Sequence, residues 1–293
     1  MAASHSYALT DPAALSDLIL VRRDREDAGK DDGWPLTAGN STTVTASRPA
    51  SDSRAATPIR YTDTRMPTNS HATHRDDIAY IAPMAAFLLL TGAGGQWPRF
   101  FVASYILKTF LTGALLIWFR NNYTQISWKW ALLGIGLGIL GIVQWCGIEE
   151  LLGGDKPIYP KIPGSSAAMI PFEYFKGHPF ACWAFIIIRW AGATLVVPFM
   201  EELFWRDYLW RTVVAPNNFK LAKVGEWDLQ AFIIVTLCFT SVHPQWITAL
   251  IWGAGIGGLL VWKRSLGACI VMHAVTNFLL GAYTLYTGKW YYW

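Results

Sequence analysis

PFACWAFIIIRWAGATLVVPFMEELFWR, residues 179–206, decides how the chain folds. From Pro179 to Met200 it carries one charge, Arg189, and it is long enough for a helix that crosses the hydrocarbon core, which takes about 20 residues. Glu201, Glu202 and Arg206 follow at once. Burying two adjacent carboxylates at the end of such a helix costs free energy, so the pair is either solvated or functional.

The rest of the chain fits a membrane reading. Apolar residues make up 53% of the 293 and charged residues 15%, against about 25% charged in a soluble domain. Further apolar runs lie at 78–95, 100–119, 130–148, 229–262 and 267–287. The 229–262 run is too long for one crossing and holds Pro244, so it divides into helices near 229–243 and 246–262. The expected fold is all-α, a membrane bundle of seven helices, or eight if part of 149–178 inserts. The 229–243 helix is short for a full crossing. Trp97, Trp128, Trp130, Trp210, Trp262, Trp290 and Trp293 flank the runs, as an aromatic belt does.

Residues 1–77 are rich in Ser, Thr, Asp, Arg and Pro and have no apolar period, so a disordered tail is expected. Met66 is an alternative start. Residues 78–178 would hold the first membrane helices and a connecting segment, and 179–293 the motif-bearing core. With the N-terminus in the cytoplasm, Arg75, Arg120, Lys129, Arg206, Arg211, Lys220, Lys223, Lys263 and Arg264 fall on the cytoplasmic side. The net charge of +4 forms no basic patch interleaved with aromatics, so no nucleic-acid partner is expected. Cys146, Cys182, Cys238 and Cys269 lie in apolar runs without CxxC spacing and read as packing thiols. GIGLGILG, residues 134–141, contains a formal GxGxxG, but inside an apolar helix it reads as a close helix–helix contact.

Ionisable groups within the apolar runs are few: Lys108, Arg189, Glu201, Glu202, Arg206, His243 and His273. Arg189 reads as snorkelling or paired, and Lys108 as structural. Three short patterns carry the rest. In EELFWR, Glu202 and Arg206 are i and i+4 and can pair, which leaves Glu201 to act. In FTSVH, Phe239 and His243 have the same spacing, and so do His273 and Asn277 in HAVTN. If the three faces converge, the site holds two carboxylates, two imidazoles and a carboxamide. That set suits activation of water and stabilisation of an oxyanion. Glu201, His243 and His273 are also candidate ligands for a divalent metal such as zinc, with Asn277 as an outer ligand.

In this order the patterns resemble EExxxR, FxxxH and HxxxN of the CAAX-processing and bacteriocin-processing (ABI) intramembrane proteases. The resemblance covers about residues 180–285. It implies an intramembrane endopeptidase acting on a membrane-associated protein or peptide in the bilayer. Glu201 would activate water and His243 would help hold it. Arg206 would orient Glu202, and His273 with Asn277 would bind the scissile carbonyl. Phe239 would support His243. The resemblance also implies a bacterial inner membrane, and residues 273–293 are similar to the exosortase-associated branch of the family. With Glu201 at the cytoplasmic end of its helix, the cavity would open to the cytoplasm or the inner leaflet. Two rivals stand beside this reading: a non-catalytic membrane chaperone or immunity-type protein of the same fold, and an ion-coupled transporter.

Overall fold

The computed structural model describes residues 72–160 and 169–293. The expected tail falls mostly outside them, as does Met66. The described residues belong to one compact unit.

Every regular element among the described residues is helical. The main helices are α1 (His74–Gln96), α2 (Phe101–Trp118), α3 (Ala131–Leu151), α4 (Pro179–Val214), α5 (Leu229–Ser241), α6 (Trp246–Lys263) and α7 (Leu266–Thr287). Six of them are long and apolar enough to cross a membrane, and the chain is an integral membrane protein. The exception is α5, whose 13 residues rise about 20 Å against a core of about 30 Å. One helical turn, Pro171–Tyr174, lies in the 149–178 segment.

Helix α1 begins four residues inside the expected tail because its start is capped. The Thr73 hydroxyl accepts from the Asp76 amide, and the Asp76 carboxylate accepts from the Thr73 amide. Asp76 also pairs with Lys220 at 2.6 Å, which ties this start to the α4–α5 loop.

The centre of the bundle is the packing of α3 against α7. A Cβ on Gly138 would lie 2.7 Å from Val275, and one on Gly141 would lie 2.5 Å from the Thr276 hydroxyl. Only glycine admits that approach, and it lets Thr276 donate to the Gly138 carbonyl at 3.1 Å. Gly136 faces open space, so the formal GxGxxG divides between two faces. Antiparallel α1 and α2 pack beside each other, with Ser104 on the Leu90 carbonyl and Asn122 on Asp76.

Basic residues gather at one end. Arg211 bonds Thr124 in the α2–α3 loop, and Ser265, next to Lys263 and Arg264, bonds the Ser127 carbonyl. At the other end Lys289 pairs with Glu150 at 2.6 Å, and the Tyr159 hydroxyl donates to buried Glu149. Burial pushes the Tyr159 phenol well above its usual range, with the Glu149 charge adding to the effect.

Candidate active site

Helix α4 departs most from expectation. The apolar run ends at Met200, but the helix continues through Glu201, Glu202, Arg206 and Asp207 to Val214. It can do so because the charges pair within it. Arg206 donates to Glu202 at 3.2 Å and Arg211 to Asp207 at 2.6 Å, each at i,i+4. Asp207 also accepts from the Tyr80 hydroxyl at 2.7 Å. Glu201 therefore lies within a long helix and not at its end.

Two wide π-helical turns, Gly192–Val196 and Leu203–Leu209, bracket the segment Val197–Glu202. Such turns recur at functional sites. The first has a local cause. The Val197 amide donates five residues back, to the Gly192 carbonyl. In that register the Ala193 carbonyl faces Pro198, which has no N–H. Asn277 of α7 supplies the missing donor, its Nδ2 lying 2.9 Å from the Ala193 oxygen. The HxxxN asparagine is thus bound to the EExxxR helix through a proline one turn before the acids.

Glu202 is fully buried. Its Oε1 accepts from Arg206 and also from His273 Nδ1, at 2.8 Å. The Arg206 guanidinium lies over the Phe239 ring, 4.4 Å from its centroid. Phe239 stacks on Trp252 at 5.5 Å, and Trp252 meets the edge of His273 at 4.8 Å. The expected Glu202–Arg206 pair is present, and His273 joins it.

Glu201 faces the other way. It is 8% exposed, its Oε2 has no hydrogen-bond partner among the described residues, and it lines a cavity of about 150 Å³. His243, His273 and Asn277 line the same cavity. The three patterns converge, with Glu201 toward the space and Glu202 behind it.

FTSVH does not reach His243 as a helix. Helix α5 stops at Ser241, since the residue before Pro244 is driven out of helical geometry. The imidazole folds back instead. Its Nδ1 lies 2.7 Å from the Phe239 carbonyl, and the two rings sit 4.2 Å apart. A carbonyl only accepts, so Nδ1 carries the proton and Nε2 keeps a lone pair.

Trp145, Gln245 and Tyr292 also line the cavity and were not singled out by sequence reasoning. Gln245 precedes α6 and Tyr292 follows α7, so the cavity extends toward the end opposite the basic loops. The expected opening at the basic end is not where this lining leads; Arg206 and Trp205 are packed in the core below Glu201. A larger cavity of about 560 Å³ runs along Leu195, Phe199 and Leu203 on another face of α4, and none of Glu201, Glu202, Arg206, His243, His273 and Asn277 lines it.

Among the described residues no three His, Cys, Asp or Glu side chains are grouped to hold an ion. His273 turns Nδ1 to Glu202 and His243 turns Nδ1 to a backbone carbonyl.

The cavity within this membrane bundle joins carboxylate, imidazole and carboxamide, groups that can activate water and stabilise an oxyanion. Residues 183–279, about a third of the chain, match the family model described as type II CAAX prenyl endopeptidase, Rce1-like. That span contains all three patterns, and over it the chain is similar to CAAX-type membrane proteases. No curated protein and no solved structure matches the chain.

Proposed function

We propose that the chain is an intramembrane endopeptidase that hydrolyses a peptide bond of a membrane-associated protein or peptide. One observation carries the reading: Glu201, His243, His273 and Asn277 line a single cavity, while Glu202 is held behind them by Arg206 and His273. Water sits between Glu201 and His243 Nε2. Glu201 takes its proton, and the hydroxide adds to the carbonyl carbon. Charge develops on the carbonyl oxygen beside His273 and the second N–H of Asn277. His273 donates there from Nε2–H while its Nδ1–H stays with the Glu202 carboxylate. The proton held by Glu201 then passes to the leaving amine as the C–N bond breaks.

With the basic end in the cytoplasm, as the Lys and Arg placement favours, the substrate enters from the end bearing Gln245 and Tyr292. A bacterial inner membrane fits this arrangement. The test is comparison of membrane and secreted proteomes, wild type against Glu201→Gln at equal protein level. New C-termini confined to the wild type support the reading. Identical sets of termini would overturn it.

A further inference from the structure

The segment Val197–Glu202 of α4 is a wall between two cavities. Val197 and Glu201 line the catalytic one, while Leu195, Phe199 and Leu203 line the cavity of about 560 Å³ behind it. At about 100° per residue, positions two apart point to opposite sides of a helix. The second cavity lies between α2 and α4 and runs toward the α2–α3 loop. Gly113 of α2 gives it width: a Cβ there would meet only Val196 within 4 Å, at 3.7 Å. Ile117 and Leu195 on its sides are exposed, so those sides face the hydrocarbon.

The two ends of this cavity differ in chemistry. Along α2 and α4 its walls are apolar, and at the loop stand Arg120, Gln125 and the ring of Trp128. No carboxylate lines it. The Arg120 guanidinium donates to the Ile117 carbonyl at 3.1 Å, and among the described residues it pairs with no acid. Asp76 and Asp207, which reach this loop through Asn122 and Arg211, are already paired with Lys220 and Arg211. Lys129 and Lys263 add charge at the same end, over the Trp130 ring at 5.4 and 4.2 Å. An apolar slot closed by an unpaired cation and an indole at the interface has the layout of one phospholipid, with the chain inside and the phosphate at the guanidinium.

We propose that this cavity is a site for an anionic phospholipid of the leaflet at the basic end, whose acyl chain packs behind Val197–Glu202. A zwitterionic lipid brings its own cation toward Arg120 and gains less. The chain touches Leu195 in the first wide turn, Phe199 in the segment between the turns and Leu203 in the second turn. Occupancy therefore braces the winding of α4 and, with it, the aim of Glu201. The site itself stands whether or not the chain is an endopeptidase.

The experiment titrates the full chain in detergent with phosphatidylglycerol and with phosphatidylcholine of the same acyl chains, and native mass spectrometry counts the bound lipid. Phosphatidylglycerol is expected to bind about tenfold more tightly. Arg120→Met should abolish that preference and Arg120→Lys should keep it. Gly113→Leu fills the slot and should weaken binding of both lipids. In a second measurement, phosphatidylglycerol should slow amide hydrogen exchange across Gly192–Leu209 relative to phosphatidylcholine. Equal affinities, a preference that survives Arg120→Met, undiminished binding to Gly113→Leu or unchanged exchange in α4 would overturn the proposal. So would displacement of the lipid by an equimolar farnesylated peptide, which would make the cavity a substrate pocket. Where Gly113→Leu does not fold, Arg120→Met and the exchange measurement decide. Because no cleavage is read, failure here leaves the proteolytic reading to its own test.

Discussion

Arg206 and Arg189 lie on the same helix, and each is almost wholly buried with its guanidinium against aromatic rings. Their surroundings differ in one respect. Arg206 has a carboxylate from its own chain, Glu202, locked further by His273. Arg189 has none among the described residues. The first charge is paired inside the protein, and it fixes the geometry of α4 against α7. The second meets only aromatic rings there, those of Tyr105 and Trp293. The two glutamates repeat the contrast at adjacent positions: Glu202 is consumed by its network, and Glu201 keeps an unbonded oxygen toward the cavity.

The largest expected effect separates the glutamates. Glu201→Gln removes the base and should lower turnover by about 10²–10⁴-fold with the thermal unfolding midpoint nearly unchanged, measured on a cleaved substrate in proteoliposomes. A destabilised Glu201→Gln protein would erase the distinction. Next come the arginines. Arg206→Met leaves the buried Glu202 carboxylate with His273 alone and should cost about 3–5 kcal/mol in denaturation followed by tryptophan fluorescence. The contact of Asn277 with α4 comes third. Asn277→Ala leaves the Ala193 carbonyl unpaired at a cost of about 1–3 kcal/mol. Pro198→Ala should restore part of that in a double-mutant cycle, because the new N–H can reach the same oxygen. Strict additivity would show that Pro198 and Asn277 do not share that carbonyl. The smallest effect is Arg189→Met, which should leave stability within about 0.5 kcal/mol of the parent or raise it. A loss like that of Arg206→Met would mean that both arginines are scaffolding.

Much of this was legible in the residues. Apolar run length gave the helices, and i,i+4 spacing gave the Glu202–Arg206 pair and the outward turn of Glu201. The small residues of 134–141 marked the α3–α7 contact. What escaped depends on partners distant in sequence. The end of α4 was misjudged because Asp207, paired with Arg211 one turn on, is also held by the Tyr80 hydroxyl, more than a hundred residues away. His243 reaches the site by a fold-back that Pro244 enforces and a helical wheel does not describe. Arg189 read as snorkelling or paired, and hydropathy does not show that its helix face meets the rings of Tyr105 and Trp293. Trp145, Gln245 and Tyr292 have no local signature and are brought to the cavity by three separate segments.

The two wide turns of α4 give the helix a property that a uniform α-helix lacks. Each admits one residue more than an α-turn, and each α-helical residue advances the side-chain direction by about 100°. Between them, Val197–Glu202 is a short cassette joined at both ends by adjustable couplings. One residue gained or lost in a coupling can be absorbed by the winding there, leaving the helix ends anchored while the acids turn relative to Arg189. Reading frame along the helix and aim at the cavity are thereby separated. A lineage built on this fold could re-aim its acids by single-residue insertions or deletions, without rebuilding the bundle around them.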